Sequence, residues 1–439
     1  MDEAAFEAID AAAKARAHES LALLRDLVAA GRDGPRAVEA LISGAMEGAG
    51  ATVEAFDYDP AEVPMVAEFA AEGVGSAGTE RCILGRRGGG GGGEGGRSLI
   101  LFAHPDVEPF RPEPAWSSDP FAPVERNGRL YGWGVADDHA GIAVMIEALA
   151  VLARAGLAPA GDVTLVAAPS KAHRRGISAA LHRGLSADAA VYCHPAESGR
   201  GLDEIKAFAP GELQFTVTVE GRLPDTAEPA HTAFAHTAEN PFDKALVVAR
   251  ALRAVDEARA RRIRHPRLEA AIGRSANLAI THAAAGDPSR LSRIAPSATL
   301  GCAMTLVPGE RLDEVMAEVE RAVAGAAEED AWLSAHPPRI AWLAGVSAAE
   351  TEDGDPLCRT AAAALARCGA APKVNPLHTS SDIRNPIVQK AIPTVGFGPL
   401  CGGLTMSGHA DEWVDIADQR RAIVATAALV ADWCGVMRV

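Results

Sequence analysis

Four short stretches of the sequence concentrate side chains that bind metal ions or move protons. In AHPDVEPF, His104 stands two residues before Asp106, a spacing at which a carboxylate can accept one imidazole N–H, fix the tautomer and leave the other ring nitrogen for an ion. In LYGWGVADDHAGIAVMIEAL, Gly132 and Gly134 permit a tight turn before Asp137 and Asp138, which open an apolar helix. A helix cap accounts for one of these aspartates and leaves the other as a candidate carboxylate ligand. His194 closes the apolar run AAVYCHP, and SGHADEWVDI carries His409 and Glu412 in a glycine-containing loop. A hydrolytic metal site needs ligands converging from several strand ends, a supporting shell and an open position for water, and these residue types meet the first two needs.

The elements that would position them can be read from periodicity. SLILFAH, VTLVAAP and AAVYCHP are short continuous apolar runs with polar residues at their C-terminal ends, the pattern of buried parallel strands. His104, Ser170 and His194 fall at those ends, where open α/β sheets carry their sites. The apolar stretch Ala140 to Gly161 reads as a buried helix, and Ala11 to Ala30 as an opening helix that stops at Gly31. The glycine run Gly88 to Gly93 reads as a surface loop, since no lysine or hydroxyl pair follows to make it a phosphate cradle. From Pro210 the pattern changes. LQFTVTVEG alternates like a half-buried antiparallel strand, followed by a helix from Phe242 to about Glu257, the strand ATLGCAMTLV and a helix from Arg311 to Gly325. The buried-strand pattern returns in IPTVGFGP, and a helix from Asp418 to Cys434 ends the chain. The expected architecture is α/β: a mostly parallel sheet domain, residues 1–208 and 346–439, split by an inserted α+β domain at 209–345.

Composition narrows the function. A formal net charge of −16 argues against a non-specific grip on nucleic-acid phosphates or acidic lipid headgroups, so the expected partner is a small-molecule substrate. Seven cysteines, odd in number and without C-x-x-C spacing, read as reduced thiols of a cytoplasmic protein. The N-terminal MDEAAFEAIDAAAKARAHES is polar rather than secretory in pattern, and Glu147 and Arg154 interrupt the most apolar stretch, so no membrane segment is expected.

Together AHPDVEPF, WSSDPFAPVERNGRLYGWGVADDHAG, AHTAFAHTAENPFDKAL, SSDIRNPIVQKAIPTVGFGP and GHADEWVDI resemble, in this order, the metallopeptidases and amidohydrolases related to acetylornithine deacetylase, succinyl-diaminopimelate desuccinylase and carboxypeptidase G, peptidase family M20. The resemblance implies a zinc-peptidase-like catalytic domain around a lid and dimerisation domain, and hence a homodimer. It implies that His104 and His409 are histidine ligands, Asp137 the bridging aspartate and Asp106 the carboxylate that orients His104. His194 falls where an acidic ligand is usual, and imidazole can fill that role. His231 matches the lid histidine and Asn240 the lid asparagine.

The departures are equally informative. Where the family places two adjacent glutamates, a base and a ligand, this chain has Ser170 and Lys171. A lysine cation repels a metal, so one divalent ion, zinc or manganese, is expected on His104, Asp137 and His194. The general base stays open among the metal itself, Asp106, Asp138, His173, His409 and a deprotonated Lys171. Thr305 stands in place of the lid arginine, and Arg384 could supply a guanidinium for a substrate carboxylate. The expected function is metal-dependent hydrolysis of a C–N bond in a small molecule. Two alternatives remain: an aryl-amine aminohydrolase of the nitroanthranilate type, and a ligand-binding relative that has lost catalysis.

Overall fold

Three five-residue strands, Leu99–Ala103, Val163–Ala167 and Ala189–Cys193, are buried at every position. This is what a continuous apolar run produces when both faces of a sheet are covered. The computed structural model describes residues 1–69, 78–89, 96–171, 175–195, 198–228, 230–377 and 382–439. Residues 90–95 of the glycine run and His173 lie outside them.

The six-stranded sheet has the order Thr52–Tyr58, Glu80–Arg87, Val163–Ala167, Leu99–Ala103, Ala189–Cys193, Thr394–Phe397. Its last three pairings are parallel and its first two antiparallel. Successive residues serve two different cores. Leu99, Leu101 and Ala103 pack with the helices Gly141–Arg154 and Ile416–Cys434, whereas Ile100 and Phe102 pack with the helix Gly176–His182 on the other face. The mainly parallel α/β architecture is as the strand pattern predicts.

Two local expectations are corrected. The buried helix ends at Arg154, not Gly161: Gly156 adopts φ +70°, and Leu157–Pro159 becomes a strand paired with Val436–Arg438. The opening helix is two helices, Glu3–Ala15 and Ala17–Ala30, broken at Arg16, whose guanidinium reaches Glu147 at 2.9 and 3.0 Å.

The chain divides into two units, the first comprising Met1–Pro64, Glu72–Ala209 and Glu350–Val439, the second Met65–Ala71 and Pro210–Ala349. In the second, an antiparallel sheet runs Leu278–Ala285, Ser297–Leu306, Gly211–Glu220, Arg339–Val346, Glu68–Phe69. Leu213, Phe215, Val217 and Val219 bury one face of it in a core shared with the helices Pro241–Arg262 and Leu312–Glu328. The intervening Glu212, Gln214, Thr216 and Thr218 stay partly exposed, the alternation of a sheet covered on one side.

Candidate metal centre

His104 and His194 directly follow two neighbouring strands, Leu99–Ala103 and Ala189–Cys193, so both imidazoles emerge at the same edge of the sheet. Asp137 joins them through an irregular turn, 135–140, ahead of the helix Gly141–Arg154. Two glycines set that turn. Gly134 adopts φ +66° and packs where a Cβ would fall 2.1 Å from Val107; at Gly141 a Cβ would fall 1.7 Å from the carbonyl oxygen of Cys193. The turn thus presses on the residue just before His194.

The result is a buried constellation. Oδ1 of Asp137 lies 3.1 Å from Nε2 of His104 and 3.1 Å from Nε2 of His194, and the Lys171 ammonium contacts its other oxygen. Burial alone would push Asp137 up, but hydrogen bonds from His104 and His194 and the charges of His194 and Lys171 hold it well below the usual carboxylate range. Lys171 is likewise held above its ordinary value, because its attraction to Asp137 outweighs its burial. It stands as an ammonium, which counts against the deprotonated lysine among the candidate bases.

The supporting contacts are largely backbone contacts. Nδ1 of His104 lies 2.8 Å from the Asp106 carbonyl and 3.4 Å from its carboxylate. That carboxylate accepts the amides of Ser170 at 2.8 Å and Lys171 at 2.7 Å. Burial opposes the charge on Asp106, yet the His104 hydrogen bond and these amides hold it below its ordinary value, so it is a weak proton acceptor. Ser170 donates its hydroxyl to Asp382. Nδ1 of His194 lies 2.9 Å from the Pro195 carbonyl and 2.7 Å from the ammonium of fully buried Lys206, and its ring stacks on Tyr192 at 4.7 Å.

Glu412 completes the arrangement from far along the chain. One of its oxygens accepts the amides of Ala136 at 2.9 Å and Asp137 at 3.1 Å; the other accepts the amide and hydroxyl of Thr405 at 3.0 and 2.7 Å. Burial, with the Asp137 charge adding, pushes its carboxyl up to about 7.

The donor set suits a divalent cation. Ligand atoms of His104, Asp138 and His194 all lie within 4.8 Å of one another, and Oδ1 of Asp138 is buried without a hydrogen-bond partner among the described residues, which costs roughly 1–3 kcal/mol if nothing meets it. Asp138 is the carboxylate of this group, whereas Asp137 contacts both imidazoles and Lys171 without being one of its three members. His409 does not: it is exposed in the loop after Thr405–Ser407, its amide 3.4 Å from the Leu404 carbonyl. Arg384 is buried at the head of the helix Arg384–Lys390, its Nη1 3.3 Å from Asn385. In the second unit, Nδ1 of His231 accepts the amide of Ala233 at 3.0 Å, and Asn240 caps the helix Pro241–Arg262 by accepting the amide of Phe242 at 3.2 Å. Lys206 and Asp382 are the contributors that spacing alone does not single out, and the grip of Glu412 on the amides of Ala136 and Asp137 is a role that its motif does not disclose.

Comparison with known proteins now decides the family. Residues 100–432 match peptidase family M20/M25/M40. The chain belongs to this family. Among curated M20-type relatives, the succinyl-diaminopimelate desuccinylase of Xanthomonas oryzae pv. oryzae (strain MAFF 311018) is 33% identical over 150 residues, covering 33% of this chain and 38% of that enzyme. The enzyme of the same name from Methylobacterium radiotolerans is 34% identical over 166 residues, covering 36% and 41%. The matched region therefore spans about two fifths of these relatives. Among solved structures, an aminopeptidase from Bacillus cereus superimposes with a TM-score of 0.65 at 15% identity, over 90% of this chain and 91% of its own. A dinuclear metal-binding M20 peptidase from Bacillus subtilis gives 0.61 at 15% identity, over 96% and 99%. These likenesses show the M20 fold. Among the described residues, no helix is long and apolar enough to cross a membrane.

Proposed function

We propose that the chain is a hydrolase of a C–N bond in a small molecule, dependent on one divalent ion, zinc or manganese, held by His104, Asp137 and His194 with Asp138 beside them. The observation that carries this reading is the meeting of both Nε2 atoms at one Asp137 oxygen while Lys171 takes the other. An ion bound there supplies Lewis acidity for the attack of water on a carbon joined to nitrogen.

The chain's own residues shape the rest. Lys171 places a fixed positive charge at Asp137, and a second dication within about 4 Å of it would meet a repulsion of roughly 8 kcal/mol at an effective dielectric of about 20, which favours a single ion. Asp106 orients His104 and holds the Ser170–Lys171 amides, and Ser170 is turned away from base duty by its bond to Asp382. His409 is left out of this ligand set. The second unit takes the lid and dimerisation role, with His231 and Asn240, together with Arg384 of the first unit, as candidate substrate contacts. The reading places the protein in the cytoplasm as a homodimer.

The test is a metal count on protein purified without chelator, followed by a hydrolysis screen of N-acyl amino acids, dipeptides and aminobenzoates with zinc or manganese. One ion per chain, lost together with turnover in His194→Ala, is expected. Two ions would overturn the role given to Lys171. Ammonia from an aminobenzoate, with nothing acylated cleaved, would move the reaction to an aryl amine.

A further inference from the structure

A second cavity of about 350 Å³, within the range of roughly 300–1,000 Å³ common for small-ligand sites, lies in the first unit between the helices Ile416–Cys434 and Ala17–Ala30, and none of the metal-centre side chains lines it. One wall is the stripe Ile416, Gln419, Arg420 and Ile423, whose three- and four-residue spacing brings these residues to one face of their helix; the other is Ala17, Ser20 and Leu21. Ile423 is buried, and Leu21 and Ile416 are half-buried, so both walls offer apolar surface.

The polar lining groups divide into committed and uncommitted. The Ser20 hydroxyl is given to Glu147 at 2.6 Å, and Glu125 is paired with Arg25 at 2.8 Å. Arg420, half-buried, makes no side-chain hydrogen bond or ion pair among the described residues. Asp415 accepts the Asp418 amide with one oxygen, as the cap of its helix, and has no ion pair among the described residues. Gln419 is the independent observation. It is 6% exposed; its Nε2 donates to the Ala140 carbonyl at 3.0 Å, which fixes the way the amide faces, and its Oε1 is left buried without a hydrogen-bond partner among the described residues. A buried acceptor in that state costs free energy unless a donor meets it.

The uncommitted groups are a guanidinium, a carboxylate oxygen and an amide oxygen: one partner for an anion and two for an N–H-bearing cation. Asp415 and Gln419 stand four residues apart, so the two acceptors are neighbours at the helix start, and Arg420 is one position on. A molecule with both charges close together and an apolar chain satisfies all three groups. A simple carboxylate leaves the acceptors unmet, and a simple amine leaves the guanidinium unmet.

We infer that this cavity binds a free α-amino acid with an aliphatic side chain, its carboxylate on Arg420, its ammonium on Asp415 and the Gln419 oxygen, and its side chain against Leu21, Ile416 and Ile423. Gln419 gives the site its reach. The amide whose oxygen faces the ligand holds, through its nitrogen, the carbonyl of Ala140 at the end of the turn 135–140 that presents Asp137 and Asp138. A cation on that oxygen polarises the amide and strengthens its hold on the turn, so the bound amino acid acts as an effector of the metal centre. The inference goes beyond the hydrolase reading and does not need it, since binding and metal affinity are read without turnover.

Binding is measured by NMR titration of the full-length metal-loaded protein with L-leucine, alongside leucinamide, which lacks the carboxylate, and 4-methylpentanoate, which lacks the ammonium. Saturable leucine binding is expected, about tenfold tighter than that of either analogue, and weakened about tenfold in Arg420→Gln and in Asp415→Asn; asparagine caps a helix as well as aspartate, so the second variant removes charge and keeps the cap. Ala17→Leu narrows the cavity without touching a charge and should weaken binding too; the thermal midpoint of each variant confirms folding. Chelator competition then reads the coupling: zinc is expected to bind about fivefold tighter with leucine present, and leucine tighter by the same factor with zinc present. No leucine binding, binding unchanged in both folded charge variants, or equal affinity for 4-methylpentanoate and leucine overturns the site. Loss of binding in His194→Ala with both charge variants unaffected places the leucine at the metal centre and overturns it equally. Leucine binding with zinc affinity unchanged upholds the amino-acid site and overturns its role as an effector.

Discussion

The sheets of the two units differ in pairing, parallel at the centre of the first and antiparallel throughout the second, and in what they bury. In the first unit every position of the central strands is buried, so no side chain along them can meet a ligand, and chemistry is confined to the residues just past their ends: His104, Ser170 and His194. In the second, Gly211–Glu220 and Ser297–Leu306 alternate buried and partly exposed along ten residues each. The difference teaches that where a sheet is covered on both faces, a site depends on how the ends are pinned. Where it is covered on one, substitutions divide by face.

The sharpest way to break this contrast is at the pin itself. Gly141→Ala drives a Cβ to 1.7 Å from the Cys193 carbonyl, and a loss of about 4 kcal/mol or more in urea unfolding, together with loss of bound metal, is expected. In the other unit, Phe215→Ala should cost about 3–5 kcal/mol through the cavity it leaves, yet retain the metal stoichiometry; loss of metal there would mean that the two units are not separable in this sense. Glu412→Ala strips the acceptor from the amides of Ala136, Asp137 and Thr405, and about 3 kcal/mol should be lost while Glu412→Gln recovers part of it. A smaller effect is expected at Glu80. Because the folded protein holds its carboxyl near 6, above the ordinary 4.5, its ionised form weakens the fold as pH rises through that value. Glu80→Gln should match the parent near pH 4 and exceed it by at most about 1 kcal/mol near pH 8, as read by denaturation at the two pH values. The smallest is Thr216→Val on the open face of the second sheet, within about 0.5 kcal/mol; a larger shift would show that this face is covered.

Legibility in the sequence followed the range of the interactions. The strands ending in His104, Ser170 and His194 were readable because both-face burial leaves an unbroken apolar run, and the second sheet because one-face burial leaves a period of two. Thr52–Tyr58 and Glu80–Arg87 escaped notice: the outer strand is largely exposed, and neither continues the apolar pattern cleanly. The break at Arg16 was hidden because its cause, Glu147, lies 131 residues away. Distance along the chain likewise hid the grip of Glu412 on the Asp137 turn and of Lys206 on His194, since a buried polar residue discloses its partner only in three dimensions. The convergence of His104, Asp137 and His194 could be expected from their motifs, whereas the exposed position of His409 could not.

Asp106 fastens the segment after Val163–Ala167 by the main-chain amides of positions 170 and 171, and every residue type except proline offers that amide. These two anchors are therefore indifferent to which side chains positions 170 and 171 carry, and evolution could exchange the occupants of both, altering the reagents of the active centre without first having to redesign this attachment.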